Sequence, residues 1–342
     1  MVIKPLKIGI IGAGNIARQH LQVMQDIPWI TAAGITSRTI TKAERLAEEF
    51  RIPVCTGAVD DLLRNGDLDA VMILVSPDQM FAVASTVIPA GLPLFIEKPA
   101  GLFPEEHRHL ADLAEKHHVA TMVGLNRRYY SIFHKGLEVI RRHGQLLGVA
   151  IDGHERIWRI YEGAKFGQQV MDHWIFANGI HTIDLLRFFG GDIQNLEARA
   201  SSLRESSGDQ FAAVIQFADG AIGTYSAHWY SPGGWRVVLY GEGATVQFQP
   251  LEKGVWTDAS FVSHDIAPDP EDEQHKPGFY RQMTAFGEMI RDRRLAWPGV
   301  DLKGAYESVK IAEKLIERVR SLETTAGDPP MSPELPFPAG GQ

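Results

Sequence analysis

Gly12-Ala13-Gly14-Asn15-Ile16-Ala17 is the first stretch whose residue types and spacing point to chemistry. It follows the short apolar run Lys7 to Ile11 and opens a helical pattern, the setting in which a glycine-rich turn receives a pyrophosphate. Gly12 permits the tight turn, Gly14 lets the backbone approach the phosphates, and Ala17 lets helix and strand pack closely. The helix N-terminus adds amide donors and the positive end of its dipole. An NAD site usually carries an acidic residue about 20 positions further on, against the ribose hydroxyls. Thr36-Ser37-Arg38-Thr39 stands there instead, with no carboxylate between Asp26 and Glu44. An arginine beside hydroxyls suits a 2′-phosphate, which a carboxylate would repel. This favours NADP(H) over NAD(H). The alternative is a plain polar turn at Ser37-Arg38, with NAD bound without the acidic contact.

Two other apolar runs end on candidate groups: Ala70 to Val75 at Ser76-Pro77, and Leu94 to Ile96 at Glu97-Lys98-Pro99. Strand ends at the carboxyl edge of a parallel sheet line its ligand crevice. An ammonium there, such as Lys98, can polarise a carbonyl oxygen, or accept a proton if burial lowers its pKa. Pro99 fixes the backbone just beyond it.

The elements that must position these groups alternate in the first third of the chain. Strand patterns at Lys7–Ile11, Trp29–Ile35, Ala70–Val75, Leu94–Ile96 and Val119–Val123 are separated by helical ones, to about Met24, over Ala43–Phe50 and over about Glu105–His117. Continuous apolar strands alternating with helices predict a doubly wound parallel sheet, a Rossmann α/β domain over residues 1–124. After Gly124 a bridging helix (about Ser131 to Arg142) leads to longer strands: Val149–Trp158, Asn195–Leu203, Phe211–Phe217, Gly220–Trp229, Trp235–Tyr240 and Thr245–Phe248. Short polar or glycine turns join many of them, as antiparallel hairpins require. With helices over about Gly179–Phe189, Phe279–Arg291 and Leu302–Leu322, residues 125–323 read as an α+β domain with a mostly antiparallel open sheet. The sheet's uncovered face suits a homodimer or homotetramer contact. The acidic segment Asp265 to Glu273 reads as a solvated loop, and residues 324–342 as a Pro/Gly-rich tail.

At this point the sequence resembles the Gfo/Idh/MocA (glucose-fructose oxidoreductase/inositol dehydrogenase) family. The resemblance is carried in order by the glycine fingerprint, Val75-Ser76-Pro77, Glu97-Lys98-Pro99, Gly124-Leu125-Asn126-Arg127-Arg128-Tyr129 and Gly179-Ile180-His181-Thr182-Ile183-Asp184. It implies a nicotinamide-dependent oxidoreductase of a sugar, polyol or related hydroxy/keto compound. It also implies that Gly12, Gly14, Asn15, Ile16, Ser37, Arg38, Ser76, Pro77, Glu97 and Lys98 lie along the cofactor. Lys98 and His181 become the catalytic pair, since imidazole titrates near neutrality and suits proton transfer. Asp184, three residues on and a surface neighbour of His181, could orient its ring or hold the domain interface. Inositol-dehydrogenase-like members carry an Asp four residues before this His; here that position is Ala177, and Asp172 lies further upstream. Substrate contacts are expected from Arg128, from Glu155 to Trp174 (Trp158, Asp172, His173 and Trp174 foremost) and from Asp184. Aromatic rings can stack on sugar C–H faces and arginines can meet a carboxylate or phosphate.

Composition bounds the alternatives. The 342 residues, 44% hydrophobic and 22% charged, suit two globular domains. A net charge of -8 argues against nucleic acid or an anionic membrane as partner. A single cysteine, Cys55, supplies neither an internal disulfide nor a cysteine metal cluster and fits a cytoplasmic location. No apolar run approaches the ~20 residues of a membrane span. No HExxH, P-loop or serine-triad pattern appears, and a metal site among His107, His109, His117 and His118 is not expected, these lying on or beside an exposed helix. Two other readings use the same residues: a redox-neutral enzyme that oxidises, eliminates or hydrolyses and reduces again on one NAD, and a regulator that binds dinucleotide without turnover.

Overall fold

The structure, a computed structural model, describes residues 4–65 and 67–323. The expected tail at 324–342 lies outside the described residues.

Six parallel strands make the first sheet: β1 (Leu6–Ile11), β2 (Ile30–Thr36), β3 (Val54–Thr56), β4 (Ala70–Ile73), β5 (Leu94–Ile96) and β6 (Thr121–Val123). Their spatial order is β3-β2-β1-β4-β5-β6. Helices α1 (Asn15–Gln25), α2 (Ile40–Phe50), α3 (Val59–Asn65), α4 (Pro77–Val87) and α5 (Pro104–Lys116) make the crossovers. β4 and β5 are buried at every residue, as covering on both faces demands. The order reverses between β1 and β4, which places a ligand crevice at their carboxyl ends. The fingerprint leaves β1, Ser76 lies just past β4, and Lys98 lies just past β5. β3 and α3 are absent from the sequence reading: Val54-Cys55-Thr56 is a three-residue edge strand, too short to show a period.

After β6 a 3₁₀ turn (Asn126–Tyr129) leads into α6 (Ser131–His143). The second sheet contains β7 (Leu146–Gly153), β8 (Ile193–Ser201), β9 (Gln210–Phe217), β10 (Ile222–His228), β11 (Trp235–Gly241), β12 (Ala244–Phe248), β13 (Gly254–Asp258) and β14 (Ser263–Ile266). Its order is β14-β13-β12-β11-β7-β10-β9-β8, antiparallel except for the pair β7–β10. Between β7 and β8 run α7 (Ile157–Glu162), α8 (Gln168–Asp172) and α9 (Ile180–Gly190); α10 (Pro270–Gln274), α11 (Phe279–Asp292) and α12 (Leu302–Glu323) close the chain. Alternation is clean on β9, where Phe211, Ala213, Ile215 and Phe217 are buried and Ala212, Val214 and Gln216 face outward. Val214, Ile222 and Tyr240 stay exposed on the uncovered face.

The C-terminal helices join the two halves. Phe279, Met283 and Phe286 of α11 share a core with Ile8, Leu21 and Met24, while α12 packs against α5 on one side and α9 and β8 on the other. The strand ends that carry Ser76 and Lys98 are thereby held in one frame with α9. Among the described residues no helix is long and apolar enough to cross a membrane.

Three local expectations are corrected. The strand expected over Val149–Trp158 ends at Gly153, and Ile157–Glu162 is helical. The acidic segment Asp265–Glu273 is no simple loop: it starts in β14 and folds into α10. There Asp272 is buried, accepting from Ser131 N and Oγ at 2.7 Å each and from Gly278 N at 2.7 Å. Three donors replace the water that a carboxylate otherwise needs. His107 is also buried, its Nε2 2.8 Å from the Gly101 carbonyl, and burial pushes its pKa down to about 4.

Candidate active site

At the end of β1 the backbone turns through Gly12 at φ 112, and its amide donates to the Thr36 carbonyl at 2.8 Å. A Cβ there would lie 2.4 Å from the Leu74 carbonyl oxygen, so glycine is required by sterics as well as by dihedral. Gly14 caps α1 from an extended conformation, and a Cβ on it would meet nothing within 4 Å. Its open side is where a pyrophosphate can approach the backbone. The first turn of α1 has neither a capping side chain nor an acidic residue, so its amide end is available to an anion. A groove of about 480 Å³ runs past Gly14, Ser37, Arg38, Lys42, Ser76 and Gln79. These features fit a dinucleotide: small residues under the phosphates and two cations at the far end.

The other expected cofactor residues are distributed around this groove. Asn15 is exposed at the start of α1, and Ile16 packs partly into the first core. Ser76 caps α4 and Pro77 is its first residue. Asp78 follows, held below the ordinary carboxylate range: burial opposes this, but hydrogen bonds from Ser76 and Gln79 and the charge of Arg38 outweigh it. Glu97 is buried, its Oε2 3.7 Å from Nε2 of His20. Lys42 was not singled out by the sequence reading; it lies one helical turn beyond Arg38, inside an otherwise ordinary helix start.

Beyond β5, Lys98 donates from Nζ to the Ala177 carbonyl at 3.0 Å. That carbonyl belongs to a single π-helical turn, Ile175–Gly179, which precedes α9; such turns recur at functional sites. Burial pushes the Lys98 pKa down to about 8, with Glu97 and Glu155 opposing and the charges of Arg127 and Lys276 assisting. His181, in the first turn of α9, is 4% exposed, and its Nδ1 has no partner. Burial, then the charges of Arg127, Lys98 and Lys276, hold it well below the ordinary imidazole value. The ring is therefore neutral at pH 7. It lies 6.0 Å from the Trp235 ring, over which the Arg127 guanidinium stacks at 4.4 Å. Arg127 Nε is likewise buried and unpartnered. Unpaired buried donors and acceptors beside a crevice are where ligand polar atoms are accommodated.

Glu155 enters the same centre just past β7. Its Oε1 accepts from Asn178 Nδ2 at 2.7 Å, and burial pushes its pKa up to about 7 against the stabilising influence of Asn178, Arg127, Lys98 and Trp174. A carboxylate and a lysine whose ionisations are moved toward neutrality thus share one enclosed region with a neutral imidazole, the condition for general acid–base work.

Several expected substrate residues go elsewhere. Arg128 and Asp184 form a buried bidentate pair, Nε–Oδ2 2.6 Å and Nη2–Oδ1 2.8 Å, and Ser308 Oγ adds a bond to Oδ1 at 2.8 Å. Both charges are committed to each other between the 3₁₀ turn, α9 and α12, so neither is presented to a ligand. Asp172 is exposed and accepts from Gln168, and His173 bonds the Gln169 carbonyl and packs edge-on against Phe103. Trp158 lies on α7, its ring parallel to Tyr230 at 6.4 Å. Trp174 is buried and lies near Glu155. The residues around Lys98, Glu155 and His181 that the sequence did not single out are Arg127, Asn178 and Lys276, with Glu155 itself. Arg127 had a signal, its place beside Arg128, but sequence does not reveal which of two adjacent arginines a 3₁₀ turn points at the cleft. Among the described residues no group of three or more His, Cys, Asp or Glu side chains forms a metal site.

Residues 6–125 match the family described as "Oxidoreductase family, NAD-binding Rossmann fold", and residues 150–247 match "GFO/IDH/MocA C-terminal domain". The chain is 27% identical over 305 residues to the uncharacterized oxidoreductase YrbE of Bacillus subtilis, spanning 84% of this chain and 87% of that protein. It is 31% identical over 139 residues to the UDP-N-acetylglucosamine 3-dehydrogenase of Acidithiobacillus ferrooxidans, spanning 41% and 42% of the two chains. Among solved structures, levoglucosan dehydrogenase in complex with NADH and L-sorbose shares the fold with a TM-score of 0.79 at 17% identity, over 93% of this chain and 97% of that one.

Proposed function

Because the chain belongs to the Gfo/Idh/MocA family and is an NAD(P)-dependent dehydrogenase or reductase, we propose that its substrate is a sugar, polyol or related hydroxy/keto compound whose oxygen is served by Lys98 and His181. The observation that carries this reading is Lys98 itself: a half-buried ammonium at the carboxyl end of β5, depressed toward neutrality and beside a neutral His181. The nicotinamide supplies the hydride acceptor for oxidation or donor for reduction. Residues 1–124 hold the cofactor and 125–323 the substrate. In oxidation neutral Lys98 takes the hydroxyl proton as the carbon loses hydride; in reduction its ammonium returns that proton to the forming alkoxide. Neutral His181 offers a ring nitrogen to the same oxygen or its neighbour, and Arg127 and Trp235 wall the polar and flat sides of the ligand. The relatives' names, an inositol 2-dehydrogenase and a UDP-sugar dehydrogenase among them, support this substrate class.

NADP(H) is the preferred cofactor in this reading. Arg38 with Lys42 gives the groove two cations where a 2′-phosphate would lie, beside the hydroxyls of Ser37 and Thr39. Titration of nicotinamide fluorescence tests it: the purified protein binds NADPH more tightly than NADH, and Arg38→Ala weakens NADPH by about tenfold or more with NADH little changed, the loss of one charge-assisted phosphate contact. Equal losses for both cofactors, or tighter NADH binding in the parent protein, would overturn the preference. The uncovered face around Val214, Ile222 and Tyr240 supports a homodimer or homotetramer, and the single exposed cysteine accords with a cytoplasmic location.

A further inference from the structure

Residue 177 offers Lys98 only a backbone carbonyl, a neutral partner for a half-buried ammonium. The next residue, Asn178, reaches out with its side chain and grips Glu155 at 2.7 Å. One π-helical turn therefore holds both groups, the lysine from the first sheet by the 177 carbonyl and the glutamate from the second sheet by the 178 carboxamide. Glu155 is 8% exposed, so its carboxylate is taken almost wholly out of water, with Asn178 as a close donor. A buried acid so placed needs a cation to justify it energetically, and Lys98 and Arg127 are the cations that act on it.

We propose that Glu155 is a second-domain carboxylate that, alongside Glu97 and held to the same π-helical turn as the lysine, favours the ammonium form of Lys98, and so is a positioning residue acting through the lysine and coupling the two sheets at the reacting centre. The inference rests on the assignment of Lys98 to the substrate oxygen, and it explains how the centre functions with alanine at position 177. The groups that bear on the pair are Glu97, Arg127 and Lys276 around Lys98, and Asn178, Arg127, Trp174 and Tyr225 around Glu155. Of the carboxylates acting on Lys98, Glu97 acts more strongly, but it is the lysine's chain neighbour and lies against His20, whereas Glu155 arrives from the other domain. Its ionisation therefore reports whether the two halves are correctly joined around the site. As pH rises through the range in which Glu155 ionises, the new negative charge favours the ammonium form of Lys98 and keeps the lysine protonated to higher pH.

The test needs no substrate. The full-length protein is acetylated competitively with trace acetic anhydride across a pH series, and the Lys98 peptide is quantified by mass spectrometry against the exposed Lys303 as internal reference. In Glu155→Gln, which keeps the shape and an acceptor for Asn178, the midpoint for Lys98 falls by about 0.5–1 pH unit, as expected for losing an opposite charge nearby. Glu155→Asp restores it, and Asn178→Ala, which withdraws the donor favouring the carboxylate, moves it the same way. Should Glu155→Gln fail to fold, Asn178→Ala and Glu155→Asp read the same coupling. A Lys98 midpoint unchanged in the folded variants overturns the proposal. A midpoint that shifts in a protein that transfers no hydride to any hydroxy or keto compound leaves the coupling standing and overturns the reaction assigned to Lys98.

Discussion

Lys98→Met lowers turnover by about 10²–10⁴, the range for removing a positioned proton donor or acceptor, while the protein still binds NAD(P)H. The methionine keeps the length and burial of the side chain but carries no proton, so the loss falls on kcat and kcat/KM together. Steady-state kinetics on the substrate identified by screening, beside fluorescence titration of the cofactor, separates the two effects. The sign of the pH dependence follows from the Lys98 pKa of about 8. Reduction needs the ammonium, so its rate falls as pH rises through about 8; oxidation needs the free amine, so its rate rises through the same region. Both limbs vanish in Lys98→Met. A variant that keeps its turnover, or loses it only by losing the cofactor, removes Lys98 from the chemistry.

Asp184→Ala destabilises the protein by about 3–5 kcal/mol, the cost of leaving one member of a buried ion pair uncompensated. The guanidinium of Arg128 would remain enclosed without its two short bonds, and Ser308 would lose its acceptor. Denaturant unfolding of parent and variant measures the difference. Since the pair ties the turn after β6 to α9 and α12, the loss extends to the placement of His181, one turn before Asp184 on the same helix. A change below about 1 kcal/mol, the value of an exposed pair, would show that the pair contributes little to holding the turn after β6 against α9 and α12.

The fold was legible where its signals are long or chemically constrained. Gly12 must be glycine because the Leu74 carbonyl leaves no room for a side chain, and that constraint is visible as a motif. The strand ends carrying Ser76 and Lys98 were legible for the same reason. What was not legible depends on which way neighbouring residues turn. Arg127 and Arg128 differ by one position; the 3₁₀ turn sends the first over Trp235 and the second into the pair with Asp184. Nor does sequence show that Asp272, within an acidic run, is enclosed by Ser131 and Gly278. Glu155 was included in the stretch expected to touch substrate but not singled out, because the partner that defines it, Asn178, is 23 positions away and meets it only through the π-helical turn.

The central claim, net hydride transfer to or from a hydroxy or keto compound, is tested most directly by following nicotinamide absorbance while the protein is incubated with NADP(H) or NAD(H) and a panel of sugars, polyols and keto sugars. The account predicts a substrate-dependent, stoichiometric change in absorbance that Lys98→Met abolishes. Conversion of a sugar with no net change in absorbance would contradict it, and would identify an enzyme that oxidises and re-reduces on one tightly held cofactor.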